Sequence, residues 1–193
     1  MRLLILFYAA DYREFFRCFS QGKDETYYAQ KYAFDTLIEI GQEVEELAVL
    51  CCKSTEPYNE IITKNFRAIG SGLFNPERKT KQLIKLIEEQ KPTHLIACAT
   101  FIGIFRWSIQ KQIPTIGVLA DSFMNKGLRS RIKNYLLANL LNNERIEWIG
   151  DHGINSCLSL QTIGVNPNKI IPWDWPHISY TCLFFAEITS RKW

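Results

Sequence analysis

The chain has 193 residues, 47% of them hydrophobic and 22% charged, and 23 Lys and Arg against 20 Asp and Glu give a formal net charge of +3. That length has a prior of one domain with a well-buried core, and the composition excludes disordered, collagen-like and coiled-coil chains. The small charge, with no long run of Lys or Arg, argues against a nucleic-acid partner.

Short β-rich runs alternate with segments of helical period. Leu3–Phe7 is continuously apolar, as expected of a central parallel strand covered on both faces. A polar loop follows. Ala29, Tyr32, Ala33, Leu37 and Ile40 then recur at helical spacing, with Gly41 read as the C′ residue that closes the helix. Val44–Leu50 is the second strand and Phe66–Ile69 a short third, joined by a polar connection around Thr55–Asn59. Asn75-Pro76 reads as an N-cap followed by proline at N1, opening a helix with Leu83, Leu86 and Ile87 on its apolar face and Pro92 as its stop. Thr93–Cys98 is the next strand, and Phe101, Ile104, Phe105 and Ile109 mark the next helix. Strand Thr115–Leu119 leads to a helix striped by Leu128, Ile132, Tyr135 and Leu136, with Arg129, Arg131, Lys133 and nearby Lys126 read as a solvated face or an anionic-surface contact. Glu147–Ile149 is a sixth strand, Asn155–Ile163 a helix stopped by Gly164, and Lys169–Pro172 a seventh strand.

Parallel strands need crossovers, and right-handed crossovers place helices on both faces. The fold class is therefore α/β, a doubly wound, Rossmann-like and mostly parallel sheet. Ligands of such sheets bind outside the carboxyl ends of the strands. The residues to examine lie in Tyr8–Arg13, Gly70–Phe74, Ala99–Phe101, Ala120–Phe123, Gly150–Gly153 and Trp173–Trp175.

The cysteines at 18, 51, 52, 98, 157 and 182 show no CxxC spacing, and no histidine sits at metal-ligand spacing, so neither a metal nor a resident cofactor is expected. Cys51 and Cys52 read as buried strand-end residues. Leu3–Tyr8 is too short for a signal sequence, and no stretch approaches the ~20 apolar residues of a membrane helix. The expected setting is cytoplasmic, with reduced thiols and at most a peripheral contact at the inner membrane face.

Several chemistries fail on their own requirements. Gly70-Ser71-Gly72 lacks the third glycine of a dinucleotide fingerprint, and there is no GxxxxGK[ST] loop. A phospho-receiver needs paired acids after its first strand and a Lys after its fifth, which Asp11 alone and Leu119-Ala120-Asp121 do not supply. No GxSxG elbow is present.

The polar groups that follow strands remain. Asp121, Asp151 and His152 are the candidate catalytic residues, since a carboxylate or imidazole there can orient a hydroxyl or take its proton. Helix capping or satisfaction within a loop is the competing reading for each aspartate. Asp11, Tyr12, Gly72, Thr100 and Ser122 are candidate substrate contacts from the same rim. In Trp173-Asp174-Trp175-Pro176, flat aromatics beside a carboxylate suit stacking on a sugar ring, and a packed interdomain corner suits them equally.

Asn155–Pro172, with its Gly164-Val165 turn and Lys169-Ile170-Ile171-Pro172, is similar to the late helix, turn and strand that lead to the interdomain linker of GT-B glycosyltransferases of the retaining family 4 group. Ile113-Pro114-Thr115-Ile116-Gly117-Val118-Leu119-Ala120-Asp121 resembles that family's "IP–strand–HD" element, and Asp24–Val44 its first helix. The likeness covers about residues 1–176, as a Rossmann-like N-terminal domain, with 177–193 as a tail. Two positions depart from the family: Ala120 replaces the usual histidine, and the glycine pair before the first helix is reduced to Gly22-Lys23. The family's donor-binding half, with its E–x7–E motif, has no counterpart in this sequence.

The resemblance implies the acceptor-binding half of a glycosyltransferase, with a nucleotide sugar as co-substrate and a sugar or glycolipid-type acceptor, either truncated or working with a separate donor-binding chain as a partner. A non-catalytic α/β binding module for a protein or small ligand is the alternative.

Overall fold

The structure, a computed structural model, describes residues 1–8, 11–25 and 30–173. Asp174, Trp175 and the 177–193 tail lie outside the described residues. The elements run β1 (Arg2–Phe7), α1 (Tyr12–Ser20), α2 (Gln30–Glu43), β2 (Glu46–Cys51), β3 (Pro57–Thr63), β4 (Phe66–Ser71), α3 (Thr80–Gln90), β5 (His94–Ala97), α4 (Ile102–Gln110), β6 (Thr115–Leu119), α5 (Leu128–Leu141), β7 (Ile146–His152), α6 (Gly153–Thr162) and β8 (Ile170–Trp173).

One sheet takes the order β3-β4-β2-β1-β5-β6-β7-β8, and every pair is parallel except β3 with β4. The seven runs read from sequence are the seven parallel strands. Leu3–Leu6 pair with β2 on one side and β5 on the other, so both flanks and both faces are covered and no polar side chain is tolerated there. The sheet separates two apolar layers. Phe34, Leu37 and Tyr12 pack on one face with Leu3, Ile5, Val49 and Phe66. Leu83, Ile104, Phe105, Leu137 and Leu160 pack on the other with Leu4, Leu6, Leu95 and Ile149. The sheet is doubly wound, and its order reverses between β1 and β5.

Five local readings need correction. The connection around Thr55–Asn59 contains β3, which turns back through Lys64-Asn65 to pair antiparallel with β4. Proline at its first position loses no ladder bond, because an edge strand has a free side. The polar stretch after β1 contains α1, whose N-cap Asp11 accepts the Arg13 N–H at 3.0 Å. Gly41 lies inside α2, not beyond it, and brings the helix close to β4: a Cβ there would stand 3.3 Å from the Phe66 Cβ. Asn75 is left-handed (φ 56°) and makes no side-chain cap; the proline after it opens a 3-10 turn over Pro76–Arg78, and α3 starts only at Thr80. On α5 the sheet-facing residues are Asn134, Leu137, Ala138 and Leu141, while Leu128, Ile132, Tyr135 and Leu136 are exposed. Among the described residues no helix is long and apolar enough to cross a membrane.

Candidate functional site

Order reversal leaves a gap between the loops that follow β1 and β5, because their crossovers leave on opposite faces. An open crevice of about 600 Å³ occupies this position, lined among others by Tyr8, Glu77, Thr100, Phe101, Asp121 and Lys133. Tyr8 and Phe101 meet edge to face with centroids 5.6 Å apart, and the Lys53 ammonium sits 4.1 Å over the Tyr8 ring. Aromatic and ionisable groups thus both line the crevice. The first turn of α4 opens onto it with no side-chain cap.

Thr100 follows β5, and its hydroxyl donates to the exposed carboxylate of Asp121, two residues beyond β6. Asp151 lies behind that pair. The register of β7 sets Asp151 opposite Leu119 on one side and Pro172 on the other, so its side chain is 0% exposed. Its Oδ1 accepts the His152 N–H at 2.9 Å, and its Oδ2 has no hydrogen-bond partner. Burial first, and the negative charge of Asp121 after it, push the carboxyl up to about 6, against the pull of the backbone N–H groups of His152 and Asp121. One carboxylate thus faces the crevice while a second, poised near neutrality, sits behind it.

The other candidates fall in different places. Strand alternation puts Asp151 and His152 on opposite faces, so the two do not act as one pair. His152 is the exposed N-cap of α6, and its ring stands edge-on to Trp173 at 5.3 Å. The Trp173 Nε1–H donates to the Leu119 carbonyl at 3.0 Å, and the indole lies so close over Gly150 that a Cβ there would come within 2.9 Å of it. Ser122 lies on the rim, with its hydroxyl 3.5 Å from that of Ser156. The capping alternative fails for both acids, because α5 begins after Gly127 and α6 after His152.

Across the reversal point, Asp11 caps α1, accepts the Tyr58 hydroxyl and pairs with Arg13 at 3.7 Å. Arg13 lies over the Tyr58 ring at 3.9 Å and bonds Glu56 at 2.8 Å. These groups fasten α1 to the β3–β4 hairpin. Tyr12 is buried at 3% exposure among Phe7, Phe15 and Phe34, which corrects its assignment as a substrate contact. Gly72 is a turn residue (φ 60°) held by the Ser54 hydroxyl at 3.1 Å and pressed against Pro57, with no room for a side chain there. Buried Cys51 and half-buried Cys98 have thiols pushed up by desolvation, to about 11 and about 12, and Cys52 follows in the same direction, so none is a poised nucleophile.

Sequence reasoning missed Glu77 and Lys133 as crevice residues. Lys133 comes from α5, whose facing periodicity does not fix, and Glu77 from a 3-10 turn that reads in sequence as a helix start. Among the described residues no cluster of His, Cys, Asp and Glu could hold a metal ion.

No protein-family model matches the chain, and no curated protein matches it. Among solved structures it is similar to UDP-GlcNAc 2-epimerase from Neisseria meningitidis, in a crystal structure bound to UDP-GlcNAc, with a TM-score of 0.47 and 13% identity over 89% of this chain and 45% of that one. The chain spans less than half the length of that relative. The α/β class itself stands on the chain's own strand register.

Proposed function

We propose that this chain forms the acceptor-binding side of a sugar-transferring enzyme, with the nucleotide-sugar donor held by a second Rossmann-type unit on the same or another chain. The observation that carries the reading is the Thr100–Asp121 pair at the mouth of the order-reversal crevice, backed by buried Asp151. An exposed carboxylate already fixed by one hydroxyl can receive a second from a sugar and hold its oxygen toward a donor. Asp151 does not reach the ligand. It stands as a second carboxylate behind Asp121, enclosed by the sheet and 0% exposed. Half-buried Tyr8, backed edge-to-face by the core residue Phe101, offers apolar surface for the C–H face of a pyranose. The sequence resemblance to the GT-B acceptor domain points the same way.

The test is ligand titration by heteronuclear NMR with a panel of glycosides and glycolipid headgroup analogues. Shifts should gather at Tyr8, Thr100, Phe101 and Asp121 and disappear in Asp121→Asn. The chain alone should not transfer sugar from any nucleotide donor. Shifts confined to the Asp11–Tyr58 side, or silence across the panel, would remove the reading. A non-catalytic binding module is the second reading, favoured by an exposed apolar stripe on α5 that no step of sugar transfer uses.

A further inference from the structure

Helix α5 carries two apolar stripes on opposite sides. At ~100° per residue, Leu137, Ala138 and Leu141 gather on the side that packs on the sheet, and Leu128, Ile132, Tyr135 and Leu136 on the side away from it. Leu128, Ile132 and Tyr135 are 76%, 54% and 65% exposed, and Met124 in the preceding loop is 56% exposed. By the same rotation Arg129 and Lys133 flank the outer stripe on one side and Arg131 flanks it on the other. Lys126 adds a fourth cation, and no acidic residue occurs from Ser122 to Asn143. None of these four cations forms an ion pair with a described residue. The loop before α5 is tied to α6 by the Phe123 N–H to Ser159 Oγ bond at 2.9 Å, and α6 adds exposed Ile154 and Leu158.

We propose that the outer face of α5, with Met124, docks on an anionic lipid surface. An apolar stripe bordered by cations is the pattern of a helix lying in the membrane interface, its apolar side in the acyl boundary and its cations at the headgroups. Tyr135 suits that boundary, where an amphipathic ring is at home. At 14 residues the helix cannot span a bilayer. A second copy of the chain is a poor occupant, since a two-fold pairing through this face would set its four cations against four more. A nucleic acid would leave the apolar stripe unused. Docking places the crevice mouth beside the headgroups, because Lys133 lines it and Met124 follows Asp121 by three residues. A lipid-linked acceptor then follows, and that consequence alone rests on the sugar-transfer reading.

Flotation of the full chain with vesicles of phosphatidylcholine, with and without phosphatidylglycerol, tests the docking without donor or acceptor, so its failure is separate from that of the transferase reading. The chain should float only with phosphatidylglycerol present, and less as salt rises. Arg129→Gln with Arg131→Gln should weaken partitioning ~30-fold, the ~1 kcal/mol per basic residue at an anionic surface converted at ~1.4 kcal/mol per tenfold. Leu128→Ser with Ile132→Ser should abolish flotation while the melting transition stays at that of the parent. Tyr135→Trp should be quenched by bromine-labelled acyl chains. No flotation at low salt, or equal flotation of parent and variants, overturns the proposal. Self-association that the α5 variants abolish, with vesicles left unbound, assigns the face to a second copy; capture of an acidic protein with vesicles unbound assigns it to that partner.

Discussion

Asp151→Asn is the sharpest probe of the acid behind the crevice. In the folded chain the carboxyl titrates near 6 and in the unfolded chain in the usual range near 3.8, so between those values the folded state binds more protons. Stability linked to Asp151 is therefore full below about pH 4, falls as pH rises, and is lost above about pH 6. A displacement of roughly 2 pH units at ~1.4 kcal/mol per unit gives an upper limit of ~3 kcal/mol. Asparagine keeps the oxygen that accepts the His152 N–H and sets a neutral amide where Oδ2 has no partner. The variant should be more stable than the parent by up to ~3 kcal/mol at pH 7, and the two should converge near pH 4. Urea unfolding followed by circular dichroism across that range measures the difference at each pH. Parallel profiles, with a constant offset from pH 4 to 7, would refute the assignment of a raised pKa to this residue.

Three further substitutions test the packing. Leu137→Ala should cost ~2–5 kcal/mol and Leu136→Ala stay within ~0.5 kcal/mol, since the first leaves a hole against the sheet and the second changes only an exposed side chain; equal losses in chemical denaturation would reverse the facing of α5. Lys169→Met should cost ~1–3 kcal/mol, because the half-buried ammonium donates to the carbonyls of Asn143 at 2.5 Å and Ile146 at 2.6 Å, which the methionine leaves without that donor; an unchanged melting temperature would discount those bonds.

The parallel strands were legible because burial on both faces writes itself as an unbroken apolar run, as in Leu3–Leu6 and Leu47–Leu50. Strand β3 carries no such run. It lies at the edge, half exposed, and Ile61 outside next to Ile62 inside masks the alternation. Helix α1 did have a signal: Asp11 followed three residues later by Glu14, with Phe15, Phe16 and Phe19 at helical spacing behind them. In α5 the period was readable but its phase was not. Two stripes satisfy the same spacing, and only the position of the sheet decides which is core. The rim placement of Thr100, Asp121 and Asp151 followed from topology, whereas their depth did not, because depth depends on how far each strand continues past the apolar run that announces it.

That difference in depth explains the chemistry of the rim. Strand β7 reads in sequence as ending at Ile149 and instead continues to His152, because β6 pairs Gly150 and Asp151 with Val118 and Leu119 and β8 pairs Gly150, Asp151 and His152 with Ile171, Pro172 and Trp173. Without those pairs Asp151 would sit in a loop, exposed as Asp121 is. With them it is enclosed between Leu119 and Pro172, and the indole of Trp173, fixed to the Leu119 carbonyl and lying over Gly150, ties β8 back to β6 across β7. The proton affinity of the buried acid is thus a property of the last described strand. A shift of β8 by even one residue would exchange the inward and outward side chains of that strand and alter the wall that encloses the carboxyl. The edge of the sheet and the charge at the crevice are coupled through a single register.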